Sequence, residues 1–123
     1  MLTIFACPKP FTAPHIAIIQ RNAITSWTLL RPKPEIILFG DEPGVAEICE
    51  ELGLRHVPEI ARNEFGTPLV NDLFEKAQRL ATYDLLCYVN ADIILMQDFM
   101  KAVQAALASK QKFLMVGRVW RVY

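Results

Sequence analysis

The sequence predicts an α/β fold: a three-layer α/β/α domain with a mostly parallel sheet. Short apolar runs, each closed by proline, glycine or asparagine, alternate with longer stretches whose apolar residues recur at helical spacing. Hydrophobic residues make up 53% of the chain and charged ones 21%, the balance of a protein that buries its own core. With 123 residues and no internal linker, repeat or low-complexity stretch, residues 1-123 are expected to form one domain.

Leu2 to Ala6 is an apolar run stopped by Cys7-Pro8-Lys9-Pro10, hence a strand and a loop. From His15 to Leu30, Ile16, Ile19, Ala23, Ile24, Trp27 and Leu30 share a helical face, and Arg31-Pro32-Lys33-Pro34 ends the helix. Glu35 to Phe39 has the pattern of a buried strand and runs into Gly40-Asp41-Glu42-Pro43-Gly44. Val45, Ile48, Cys49 and Leu52 form the face of a second helix, with Gly53 as its C-cap. Leu54 to Val57 is a short strand. Thr67-Pro68 has the chemistry of a cap and first turn for a third helix, whose stripe is Val70, Leu73, Phe74, Ala77 and Leu80. Asp84 to Val89 is a fourth strand, Gln97 to Ser109 a fourth helix, and Lys112 to Val116 a fifth strand. This order is the grammar of a parallel sheet covered on both faces.

Ligands of such sheets bind beyond the carboxyl ends of the strands, where the strand order reverses. The loops there carry Cys7-Pro8-Lys9, Gly40-Asp41-Glu42, Glu59 to Gly66 and Asn90-Ala91-Asp92. The last is the most informative. Side chains alternate along a strand, so Asn90 and Asp92 point toward one pocket. A hard divalent cation needs few protein oxygens when phosphates and waters complete its shell, and it neutralises the charge on a nucleoside-diphosphate leaving group. Asp92 suits that role, with Asn90 bonding a ribose hydroxyl or a metal-bound water. The same two residues equally suit an Asx-type turn.

Asn90-Ala91-Asp92 resembles the Asp-x-Asp motif of GT-A glycosyltransferases, especially those of the broad family 2 type. The resemblance runs from the first strand to the fifth. Phe39-Gly40-Asp41 is similar to the place where that family sets an acidic residue near the base or ribose, and Ala6-Cys7-Pro8 to its nucleotide-cradling segment. The third helix, with Asn71 and Asp72 in its first turns, is similar to the helix before the metal-motif strand. The resemblance implies a truncated, Rossmann-like domain of the nucleotide-diphospho-sugar transferase type. It implies nucleotide binding by Ala6, Cys7, Pro8, Lys9, Asp41 and Asn90, and a divalent cation, Mn or Mg, at Asp92. The implied partners are a nucleoside-diphosphate sugar and an acceptor the sequence does not identify.

Two departures from the family pattern matter. Asn90 replaces an aspartate, which removes one anionic ligand and predicts weaker metal binding. The sequence given stops at Tyr123, before the acceptor half that would supply a catalytic base, so no residue is assigned that role. Neither His15 nor His56 falls in such a segment; both are expected to be ordinary surface or half-buried histidines. The alternative reading is a non-catalytic binding or oligomerisation module that keeps the fold. Val119, Trp120, Val122 and Tyr123 would then give an apolar patch suited to a homo-oligomer.

Thirteen acidic residues balance 13 basic ones, and no basic cluster occurs, so no nucleic-acid partner is expected. Cys7, Cys49 and Cys87 are odd in number and lack Cys-x-x-Cys spacing, which argues for buried reduced thiols and against a disulfide framework or zinc site. Nothing in them signals an activated nucleophile. A glycine-rich turn after the first strand and a Gly-Lys-Ser/Thr motif are both missing, which excludes dinucleotide-binding and P-loop readings. Met1 to Ala6 lacks the features of a signal peptide, and no apolar stretch approaches the roughly 20 residues of a membrane span. A cytoplasmic location is the expectation.

Overall fold

The computed structural model describes residues 1–109 and 113–117. Eight elements follow in order: β1 (Leu2–Ala6), α1 (Pro14–Thr28), β2 (Glu35–Phe39), α2 (Val45–Leu52), β3 (Arg55–Val57), α3 (Val70–Leu80), β4 (Leu85–Tyr88) and α4 (Gln97–Ala108). The four strands form one sheet in the order β3-β2-β1-β4, and every pairing is parallel.

The order explains where the helices lie. The chain steps outward from β1 to β2 to β3, and α1 and α2 cover one face. There Ala23, Ile24, Trp27, Val45, Ile48 and Cys49 pack on Leu2, Ile4, Ala6, Ile36 and Leu38, joined by Met100 of α4. The chain then returns past β2 and β1 to place β4 on the other side of β1. A crossover of the same hand travelling in the reverse direction must pass over the opposite face. α3 lies there, with Leu73 and Ala77 against Phe5, Ile37 and Phe39. The result is three layers, as expected for a doubly wound, Rossmann-like sheet.

Several sequence expectations need correction. Among the described residues the sheet has four strands; residues 113–117 carry no strand, and Lys112 lies outside the described residues, as do Val119, Trp120, Val122 and Tyr123. An apolar run can be extended without entering a sheet, because membership needs a partner for its backbone groups. The third helix starts at Val70 and not at Thr67, because Thr67 and Pro68 are drawn into a hairpin with Asn63 and Arg62. Phe74 is 43% exposed instead of buried, since α3 alone covers its face of the sheet. It lies at the margin and packs edge-on against Phe5, with ring centroids 5.0 Å apart. Ile19, also expected on a buried face, is 44% exposed. Trp27 is fully buried and Gly53 caps α2 in the left-handed region at φ 68°, both as expected.

Candidate functional site

Because the strands are parallel, the loops after β1, β2, β3 and β4 leave the sheet at one end. Those after β1 and β4 diverge at the point where strand order reverses, which opens a crevice. A cleft of about 550 Å³ occupies this end. Cys7, Pro8 and Lys9 line it from the loop after β1, Glu42 from the loop after β2, Arg62 and residues 65–68 from the loop after β3, and Asn90, Ala91 and Asp92 from beyond β4. Ile16, Ile19 and Gln20 of α1 and Val70 and Leu73 of α3 complete the wall. The volume and the apolar wall with a few convergent polar groups are those of a small-molecule site.

The segment after β4 keeps the alternation of a strand beyond its end. Val89 and Ala91 are buried, whereas Tyr88, Asn90 and Asp92 are exposed on the cleft side. The turn is closed by backbone alone, with the Ile93 N–H donating to the Asn90 carbonyl at 3.1 Å. The Asn90 and Asp92 side chains make no hydrogen bond or ion pair among the described residues, so the Asx turn is not formed. Two anchors from α1 hold this segment. The Trp27 indole N–H donates to the Ile93 carbonyl at 2.9 Å, and Ser26 Oγ accepts the Leu95 N–H at 3.1 Å.

The loop after β1 is held by a residue that the sequence reading did not single out. Gln20 is 3% exposed; its Oε1 accepts the Lys9 N–H at 2.7 Å and its Nε2 donates to the Lys9 carbonyl at 2.9 Å. Both backbone groups of Lys9 are thereby satisfied, and its ammonium is left without a partner among the described residues. The signal was present: Gln20 stands at helical spacing from Ala23, Ile24 and Trp27, a polar residue on a buried face. The same loop docks on the next one, where the Phe11 N–H donates to the Pro43 carbonyl at 2.8 Å. Gly44 is required there, with φ 93° and the Phe11 Cβ only 2.5 Å from where its own Cβ would be.

Asp41 is displaced from its expected place. Its side chain is 75% exposed and does not line the cleft; Glu42 does. Arg62 joins the two, its Nη2 lying 3.3 Å from Asp41 Oδ1 and 3.1 Å from Glu42 Oε1. Asp41 therefore reaches the site through Arg62. Ala6 is buried in the core beneath the cleft. Neither histidine takes part: His15 is exposed, and His56 pairs its Nε2 with the Gly40 carbonyl at 2.7 Å. Asp72, in the third helix, accepts the Ala61 N–H at 2.8 Å and so fastens the hairpin to α3. That hydrogen bond, against a smaller effect of burial and with help from Lys76 and Arg79, holds its carboxyl below the usual range.

Burial pushes the Cys7 thiol up, a shift Arg62 opposes and Glu42 reinforces. Burial pushes Cys49 and Cys87 up to about 11. None of the three is a thiolate at neutral pH, so the cleft offers no cysteine nucleophile. All three are free cysteines, Cys49 buried and the others half-buried.

No family model, curated protein or solved structure matches the chain.

Among the described residues, no three of the His, Cys, Asp and Glu side chains gather as a metal cluster. No described helix is long and apolar enough to cross a membrane. The cleft thus combines two uncommitted groups beyond β4, a presented lysine, and an arginine held by carboxylates.

Proposed function

We propose that the chain binds a nucleoside-diphosphate sugar in this cleft through a divalent cation, for sugar transfer to an acceptor in the manner of a GT-A glycosyltransferase. One observation carries the reading: Asp92 and Asn90 stand exposed and unengaged where the strand order reverses, facing the same cleft as Lys9 and Arg62. Asp92 and Asn90 are hard oxygen donors of the kind Mg or Mn prefers, and one or two protein oxygens suffice where phosphates and waters complete the shell. That fits a cleft without a cluster of three ligands. When bound, the cation supplies positive charge to a diphosphate leaving group. Lys9 adds a second positive charge from the loop after β1, positioned by Gln20. Arg62 adds a third near Cys7, and Glu42 and Asp41 hold it there. The test is calorimetric titration of nucleoside diphosphates and their sugars with and without manganese. Saturable binding that requires manganese is expected. A protein that binds none of them in either condition removes the reading.

A non-catalytic oligomerisation module is the second reading, and a different observation favours it. β4 pairs only with β1 among the described residues, so its outer edge is open, and Leu114 and Val116 are 90% and 82% exposed. Open edges and apolar patches favour association. Light scattering that gives a concentration-independent monomer mass removes this reading.

A further inference from the structure

Residues 61–69 fold back on themselves as a short hairpin at the rim of the cleft. Arg62 and Pro68 form an antiparallel bridge, the Leu69 N–H donates to the Ala61 carbonyl at 2.9 Å, and the Asn63 N–H to the Thr67 carbonyl at 2.8 Å. Asn63 closes the tip. Its Oδ1 accepts the N–H groups of Phe65 at 2.9 Å and Thr67 at 3.0 Å, while its carbonyl accepts the Gly66 N–H at 3.0 Å. Gly66 takes φ 81°, a conformation that favours glycine. Arg62 Nη1 donates to the Gly66 carbonyl at 2.9 Å, and Asp72 ties the base of the hairpin to α3. Every backbone turn of the tip is therefore held, and it holds out Phe65 with 84% of its surface in water. Phe65 is nonetheless part of the cleft wall, together with Arg62, Val70 and Asn90.

We infer that Phe65 is the platform on which the base of the nucleotide stacks. The inference rests on the nucleoside-diphosphate reading above and adds which end of the ligand meets which loop. The hairpin follows β3 and the Asn90–Asp92 turn follows β4, the two edge strands of the sheet, so the cleft is entered from opposite edges. Phosphates held at Asp92 leave the base as the group for the hairpin. An aromatic face accepts any base, because every base has a π-face, and a neighbouring guanidinium adds to such a stack. Arg62 stands beside Phe65 in the hairpin, and its ion pairs with Asp41 and Glu42 limit where it can swing. Holding the ring in place beforehand spares the cost of ordering it on binding.

Phe65→Ala tests this with calorimetry in manganese, using UDP, GDP, ADP, CDP and dTDP beside inorganic pyrophosphate. Affinity for the nucleoside diphosphates should fall about tenfold or more, the usual loss for removing one stacked aromatic. Pyrophosphate affinity should be unchanged, and so should the melting temperature, since the side chain is exposed. Phe65→Trp should keep the affinity, and its added indole emission, measured against the parent, should be quenched by the nucleotides and not by pyrophosphate. Unchanged nucleotide affinity in Phe65→Ala, or an equal loss for pyrophosphate, overturns the inference and leaves the nucleotide reading standing. Failure of all five nucleotides to bind the parent protein removes that reading and this inference with it.

Discussion

The two ends of the sheet carry similar side chains and use them in opposite ways. At the amino ends of the strands, Glu35 accepts hydrogen bonds from Thr3 Oγ1 at 2.8 Å, the Thr82 N–H at 2.7 Å and Thr82 Oγ1 at 2.7 Å, with Arg55 3.9 Å away. Thr3 is fully buried, and the carboxylate satisfies it. At the carboxyl ends, Asp92, Asn90 and Lys9 face the cleft with no side-chain partner among the described residues. A closed polar network contributes to stability and to a unique strand register; an open one contributes binding capacity. The protein holds the open groups in place through backbone contacts from Trp27 and Gln20, so order at the site does not consume the groups themselves.

The largest expected effect would separate the two ends outright. Asp92→Ala should abolish the manganese-dependent part of nucleotide binding, read by calorimetry, with an unchanged melting temperature because the carboxylate stabilises nothing around it. Asn90→Asp should strengthen metal binding by restoring a second anionic oxygen. If Asp92→Ala binds like the parent with metal present, the open end is not a metal site.

Glu35→Ala should do the reverse. It leaves buried Thr3 without its acceptor and should cost about 1–3 kcal/mol in denaturant unfolding, while nucleotide affinity stays the same. The pH dependence follows from the same network. Burial alone would raise the Glu35 carboxyl, but the hydrogen bonds from Thr82 and Thr3 and the charge of Arg55 together outweigh it and hold it below the usual value. The unfolded chain therefore binds its proton first as pH falls. Stability from Glu35 is full above the ordinary glutamate value of about 4.3 and is lost as pH drops through the lower folded value. The Glu35→Ala protein should show a shallower loss of stability across that acid range, and an identical slope would contradict the assignment.

Gln20→Leu sits between the two extremes. It keeps the apolar contacts of α1 but leaves the Lys9 N–H and carbonyl unpaired, so a stability loss of about 1–2 kcal/mol should accompany a severalfold drop in nucleotide affinity. A stability loss with no change in affinity would show that the loop after β1 does not touch the ligand. The smallest effect belongs to Arg21→Ala. Arg21 and Glu51 are 49% and 56% exposed, and an exposed pair of this kind is worth about 0.2–1 kcal/mol, falling with salt. A larger loss would show that α1 and α2 depend on that bridge.

What the sequence determined by itself was local: the run Leu2–Ala6, the helical spacing of Ala23, Ile24 and Trp27, the stop at Gly53, and the alternation that turns Asn90 and Asp92 the same way. Each depends on neighbours a few residues away, and backbone geometry alone sets those relations. The tertiary structure decided the rest. Only the insertion of β4 beside β1 brings Asn90 to the same cleft as Lys9, residues 81 apart in the chain. Only the closing of the hairpin takes Thr67 and Pro68 out of α3, sets Phe65 on the rim, and gives Arg62 to Asp41 and Glu42. Phe74 fits its helical stripe yet stays half in water, because periodicity says which side of a helix is apolar and not how much sheet lies beneath it. The run from Phe113 to Val116 is apolar enough for a strand and forms none, since a strand exists only where another chain segment offers it hydrogen bonds.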